Sequence, residues 1–182
     1  MPTYISLIRG INVGGHKKLK MDELRKAVEA LGFAQVRTYV QSGNLVFQAP
    51  KQATAAVSKK IEAVILKKFG YEVSVITKTP EELKAAIESN PFLKGKAVAE
   101  ERLYVTFLSG CPEPANVKRL DAVSSGADEY RWQDDVIYFH LPNGAGNSKL
   151  ATAPFEKWCS VRATTRNWRT VNNLHQMATE HG

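Results

Sequence analysis

Apolar and polar positions alternate through Tyr4, Ile5, Ser6, Leu7 and Ile8, which sends Ile5 and Leu7 to one side of an extended chain and the other three to the opposite side. A strand is predicted there. After a glycine-rich stretch the period lengthens: Met21, Leu24, Val28 and Leu31 recur at helical spacing, and Gly32 follows as a left-handed stop. Two short strand-like runs in VRTYVQSGNLVFQ flank Ser42 and Gly43, the residue types of a tight turn, so residues 36–48 read as a hairpin. A second helix carries Val57, Ile61, Val64 and Ile65 on one stripe and stops at Gly70, and residues 71–77, YEVSVIT, read as a fourth strand.

Strand, helix, strand, strand, helix, strand is the order of a split βαβ unit, and residues 1–79 make one lobe of this kind. Residues 80–101 form a helix and a connector. The helix has strong start chemistry, with Thr79 as cap, Pro80 in the first turn and Glu82 placed to close a capping box, and it stops near Asn90 and Pro91. Residues 102–182 repeat the order: a strand in RLYVTFLSG, a helix after Pro114 built on Val117 and Leu120, and a hairpin turning at Asp134 and Asp135. Helical residues broken at Pro154 come next, then a short strand in RATTR and a closing helix from Trp168 to Glu180 that buries Val171, Leu174 and Ala178. The predicted class is α+β, two tandem ferredoxin-like (α-β plait, βαββαβ) subdomains with an extra C-terminal helix. No residue-level repeat joins the two halves.

The 182 residues are 43% apolar and 24% charged, which suits a folded domain and excludes disordered and collagen-like classes. No apolar run approaches the ~20 residues of a membrane helix, and no charged-then-apolar leader opens the chain, so a cytoplasmic protein without membrane association is expected. Cys111 and Cys159 are far apart and outside any CxxC or nucleophile signature, so both are expected to be buried, reduced thiols. His16, His140, His175 and His181 share no ligand spacing, and neither a metal nor a cofactor is expected. The net charge of +7 favours phosphate-bearing partners, although lysines such as Lys59, Lys60, Lys67 and Lys68 also serve simply to solvate a helix face.

Three polar motifs stand out: RGINVGG after the first strand, QSGN in the first hairpin, and TTRNWRTV near the C-terminus. Together they resemble the bacterial domain-of-unknown-function family 1697 nearly end to end. The resemblance implies two stacked α-β plait subdomains and no established activity. It marks Arg9, Gly10, Asn12, Gly14, Gly15, Gln41, Ser42, Gly43, Asn44, Arg166, Asn167 and Trp168 as its motif positions.

The first motif is neither a P-loop, because His16 follows Gly15 where a lysine is needed, nor a dinucleotide fingerprint, because Gly10 and Gly14 are wrongly spaced. It remains a cationic strand-to-helix loop in which Arg9, Asn12, Gly14, Gly15, His16, Lys17 and Lys18 can hold an anion. The alternative is that its glycines supply positive-φ turns and Asn12 bonds the backbone. Gln41, Ser42 and Asn44 would join this site if the first and third strands are neighbours, though they are also ordinary turn residues. Arg162, Arg166 and Arg169 beside Trp168 suit phosphate contact and stacking on a base, and Asn167 joins the candidate anion site; Arg166 and Arg169 are read as one helical turn apart, Trp168 is expected to pack, and the arginines to face solvent or the first lobe. Tyr104 and Tyr138 are expected on one sheet face, where they could stack bases or equally pack against the other lobe.

No nucleophile, base and orienter set is present, and His16 is the best acid-base candidate. These features favour a phosphate-, nucleotide- or nucleic-acid-binding module. The alternatives are an enzyme acting on a small phosphorylated or anionic metabolite in an inter-lobe cleft, and a protein-interaction scaffold without a ligand.

Overall fold

The computed structural model describes residues 1–95, 97–123 and 126–180, so His181 and Lys96 lie outside the described residues. Two compact units are present, one from Met1–Ala85 with Asn173–Gly182, the other from Ala86–Asn172. Unit one runs β1 (Thr3–Ile8), α1 (Met21–Glu29), β2 (Ala34–Tyr39), β3 (Asn44–Gln48), α2 (Thr54–Phe69) and β4 (Val75–Lys78). Its sheet has the order β2-β3-β1-β4 with every pair antiparallel. The fourth strand is shorter than the alternation suggests. Val75 pairs with Ile8, the last residue of β1, so residues 71–74 have no strand left to pair with.

The alternation in β1 sets the core. Tyr4 and Ile8 join Leu45, Phe47 and Val75 under Leu24 and Val28 of α1 and Val57, Ile61 and Ile65 of α2. Phe33 stacks on Phe47 with centroids 5.0 Å apart. On the same face three buried hydroxyls satisfy one another: Ser6 Oγ lies 2.7 Å from Thr77 Oγ1, and Ser58 Oγ donates to Thr77 Oγ1 at 2.9 Å. Thr77→Val keeps the shape and strands both seryl hydroxyls, so a loss of about 2 kcal/mol is expected in urea denaturation. Adding Ser6→Ala should recover part of that loss, because one fewer buried polar group is left unpaired.

α3 (Pro80–Glu88) carries the chain from unit one into unit two. Its predicted capping box is present, with Thr79 N donating to Glu82 Oε2 at 2.8 Å and Glu82 N to Thr79 Oγ1 at 3.2 Å. Unit two then runs β5 (Leu103–Leu108), α4 (Pro114–Val117), α5 (Leu120–Val123), β6 (Glu129–Gln133), β7 (Val136–His140), α6 (Lys149–Thr152), α7 (Phe155–Cys159), β8 (Ala163–Asn167) and α8 (Trp168–Thr179). Its antiparallel sheet has the order β6-β7-β5-β8, the permutation already seen in unit one. Where the sequence suggests lobes of 1–79 and 102–182 around a connector, packing divides the chain within α3 and again at Asn173 in α8. Asn173 Nδ2 donates to the Tyr39 hydroxyl and the Arg37 guanidinium donates to the Met177 carbonyl, which tie the last turns of α8 to β2 in unit one. A cation at a helix C-terminus also complements its dipole.

Several expectations for unit two need correction. The single helix after Pro114 is two, because i→i+3 bonds such as Asp121 N to Lys118 O, 3.0 Å, tighten the junction and bring buried Val117 and Leu120 onto one face. Cys111 is exposed, on the loop after β5, while Cys159 is buried and its thiol is pushed up by that burial. Tyr104 and Tyr138 lie on opposite sheet faces: Tyr104 pairs with Phe139 on the helix-covered side, whereas Tyr138 pairs with Val105. Tyr138 is moreover buried, donates to the Ala86 carbonyl at 2.7 Å, and has its hydroxyl pKa pushed up to about 12 by burial. The two rings cannot share a base-stacking platform. Among the described residues no helix is long and apolar enough to cross a membrane.

Candidate functional site

The chain leaves β1 held on both sides, with Ile8 N donating to Gly43 O at 2.8 Å and Arg9 N to Ser74 O at 2.9 Å. It then builds a loop, residues 9–20, organised by one side chain. Asn12, at φ +55°, donates from Nδ2 to the carbonyls of Leu19 and Gln41, each at 2.9 Å, and accepts at Oδ1 from Leu19 N at 2.8 Å. Its own N–H donates to Lys17 O at 3.2 Å. Asparagine tolerates this left-handed backbone better than most residues, and its amide here closes the loop and joins it to the hairpin. Between those contacts His16 N donates to Val13 O at 2.9 Å across Gly14 and Gly15, both at positive φ, the signature of a primed turn.

The hairpin meets this loop because β1 and β3 are neighbours. Gly43 is buried at φ +88°, and a Cβ there would fall 2.9 Å from Ile11 Cδ1 and 3.0 Å from Ile8 Cβ. Asn44 is fully buried, and its Nδ2 donates to Tyr39 O at 2.9 Å and Ser42 Oγ at 3.0 Å. The structure thus brings Arg9, Asn12, Gly14, Gly15, His16, Lys17, Gln41, Ser42 and Asn44 together, but it gives Asn12, Gly43 and Asn44 structural work. The surface they support is cationic: Arg9, His16, Lys17, Lys18 and Lys20 are all exposed. Lys17 Nζ is turned back onto the Glu72 carbonyl at 2.5 Å. The His16 ring has no hydrogen-bond partner among the described residues, so nothing orients it as a general base.

The model of a family described as a protein of unknown function, DUF1697, matches residues 1–138, which hold both halves of this loop-and-hairpin site. The chain belongs to the DUF1697 family. Its fold is similar to that of a conserved bacterial protein, SP0830 from Streptococcus pneumoniae, with a TM-score of 0.71 and 24% identity over 97% of this chain and 98% of that one. At that identity the likeness speaks for the fold alone. No curated protein matches the chain.

The third motif of this DUF1697 protein lies beyond the residues the family model matches and belongs to unit two. Arg166 sits in β8, not on the helix, so its expected one-turn spacing from Arg169 does not exist. It is 9% exposed and donates from Nη1 to Thr164 Oγ1 and Thr165 O, both at 2.9 Å; burial lowers its pKa to about 10. Asn167 caps α8 by accepting from Thr170 N at 2.8 Å, and Arg169 is exposed. Trp168 is core, at 4% exposure.

Sequence reasoning passed over two residues of the first site. Val13 and Val40 are 61% and 51% exposed, and Val40 holds φ +49°, a conformation β-branched residues seldom adopt. Nothing in YVQSGN signals that strain, which follows from the turn that delivers Gly43 beneath Ile11.

Proposed function

We propose that this DUF1697 protein is a nucleic-acid-binding module built on two tandem ferredoxin-like plaits, with its contact surface on the loop of residues 9–20 and the adjoining hairpin turn. The strand order of each sheet, with its βαββαβ succession, supports the plait reading. One observation carries the functional reading: the charge is segregated. Unit one holds fourteen lysines and arginines against eight aspartates and glutamates, net +6, while unit two holds eleven against ten, net +1. A concentrated positive field raises the local concentration of polyanions, and phosphate neutralisation supplies most sequence-independent affinity. With Tyr138 buried and Tyr104 half-buried against the unit-two core, recognition rests on phosphates, not on base stacking.

The test is anisotropy of a labelled single-stranded RNA titrated between 50 and 200 mM salt. Four neutralised phosphates give a slope of about −2.8 in log affinity against log salt for a single strand. Lys18→Glu with Lys20→Glu, two exposed cations outside the loop's internal hydrogen bonds made by side chains, should weaken binding about tenfold or more and flatten the slope by ~0.7 per lysine. A flat salt response, or equal affinity in the double variant, refutes the reading.

A further inference from the structure

A second feature of unit one lies away from the loop and takes a different kind of ligand. Where α1 ends, Ala30 and Leu31 face Ala63 and Val64 of α2 across a cleft of about 580 Å³. It is lined by these four apolar residues together with Lys60, Lys67 and Lys68, whose charged heads we take as its rim. Leu66, 48% exposed and close to Ala63 on the same helix, extends the apolar surface beyond the cleft. The origin is in the sequence. Apolar residues in IEAVILKKF outnumber what one buried stripe uses, for Ile61 and Ile65 fill the core, Val64 and Phe69 pack partly against it, and Ala63 and Leu66 are left outside.

The size and character are those of a small-molecule site: a few hundred Å³, an apolar lining and a small number of polar groups at the edge. The polar groups here are all cations. Lys60 Nζ is steadied by Gln52 Oε1 at 2.7 Å, and Lys68 Nζ lies 5.8 Å from the centre of the Phe69 ring, so two of the three ammonium groups have protein partners near the rim. Lysine stems can extend an apolar wall while their heads stay in water, which leaves an apolar trough with positive charge where a ligand's head would emerge.

We propose that this cleft binds a single-chain anionic amphiphile, an alkyl carboxylate whose chain lies on Ala30, Leu31, Ala63 and Val64 and whose head is held by the rim lysines. Charge complementarity selects the head and the trough selects the chain. Solvation of a helix face would explain the lysines alone, but it predicts no preference for an apolar tail and leaves Ala30, Ala63 and Leu66 exposed beside the half-buried Leu31 and Val64.

The experiment uses the full chain labelled with ¹⁵N and titrated with decanoate and, in parallel, with decyltrimethylammonium, both below their micelle concentrations. Decanoate should move the amide signals of Ala30, Leu31, Ala63 and Val64 in a saturable way and bind at least tenfold tighter than the cation of equal chain length. Lys67→Glu with Lys68→Glu should weaken decanoate at least tenfold and remove its preference over the cation. Ala63→Leu, an exposed position that fills the trough without touching charge, should weaken both. A third arm adds vesicles of phosphatidylglycerol. Equal binding of the two amphiphiles, shifts elsewhere, unchanged affinity in either variant, or binding to vesicles alone overturns the proposal, the last because it assigns the face to a lipid surface. The RNA titration does not bear on this outcome, since its charge reversals lie at Lys18 and Lys20.

Discussion

Gly43→Ala is expected to lower the stability of unit one by about 3 kcal/mol, because two separate costs meet at one atom. An L-residue in the left-handed region costs roughly 1–2 kcal/mol, and forcing a methyl group into a filled space costs about 1–3 more. The backbone at Gly43 stands at φ +88°, and the new Cβ would lie 2.9 Å from Ile11 Cδ1. Gly10→Ala separates the two costs, since Gly10 has φ +71° but nothing within 4 Å of its Cβ position. Urea midpoints at constant m should therefore fall markedly further for Gly43→Ala than for Gly10→Ala. Ile11→Val removes the nearest obstructing atom, so the double variant Gly43→Ala, Ile11→Val should be less destabilised than the sum of the single changes, with a coupling near 1 kcal/mol. Equal midpoints for the two glycine variants would mean that the hairpin backs away freely from the loop, and the packing of Gly43 against Ile11 would then not fix the site.

That packing marks the boundary of what could be read in advance. Local patterns were legible: the alternation in β1, the stripes of α1 and α2, and the Thr79, Glu82 capping box each depend on residues within a few positions of one another. Faces across strands were not. Which tyrosine shares a face with which depends on register, and a slip of one residue reverses the answer. The two-residue turn at Asp134 and Asp135 sets Gln133 opposite Val136, the pairing of β7 with β5 sets Phe107 opposite Val136, and Tyr138 is thereby placed with Val105 and away from Tyr104. The junction between α4 and α5 was hidden for a similar reason, since no glycine or proline marks it and only tertiary burial of Val117 and Leu120 favours the tighter turn.

Register also exposes a likeness that identity conceals. Ser6 pairs with Thr77 in one sheet and Thr106 with Thr165 in the other, each pair with touching hydroxyls, at 2.7 and 2.6 Å. One strand position later the chain reaches a buried cation, Lys78 or Arg166, and then a helix cap, Thr79 or Asn167. The shared property is chemical class and place in the ladder: hydroxyl, cation, cap. Few of these residues are identical, so a comparison of letters finds no repeat.

Asn12→Asp is expected to be nearly as damaging as the glycine change, and in a manner that depends on pH. The substitution keeps the acceptor for Leu19 N but replaces the donor that serves the Leu19 and Gln41 carbonyls with a second oxygen. At neutral pH a carboxylate then faces two carbonyl oxygens in a part-buried position, costing about 3 kcal/mol. Protonation returns one O–H donor, so the folded state raises this carboxyl's pKa above its unfolded value near 3.9. A group raised on folding contributes its stability fully below the unfolded pKa and loses it as pH climbs through the folded one. The variant should therefore lie closest to the parent protein below about pH 4 and fall progressively behind it towards pH 7, measured as the difference in urea midpoint at each pH. Asn12→Ala, with nothing to titrate, should show a constant deficit. A deficit for Asn12→Asp that is likewise constant would show that the amide of Asn12 does not hold the Leu19 and Gln41 carbonyls, and the loop would have to owe its shape to its positive-φ glycines alone.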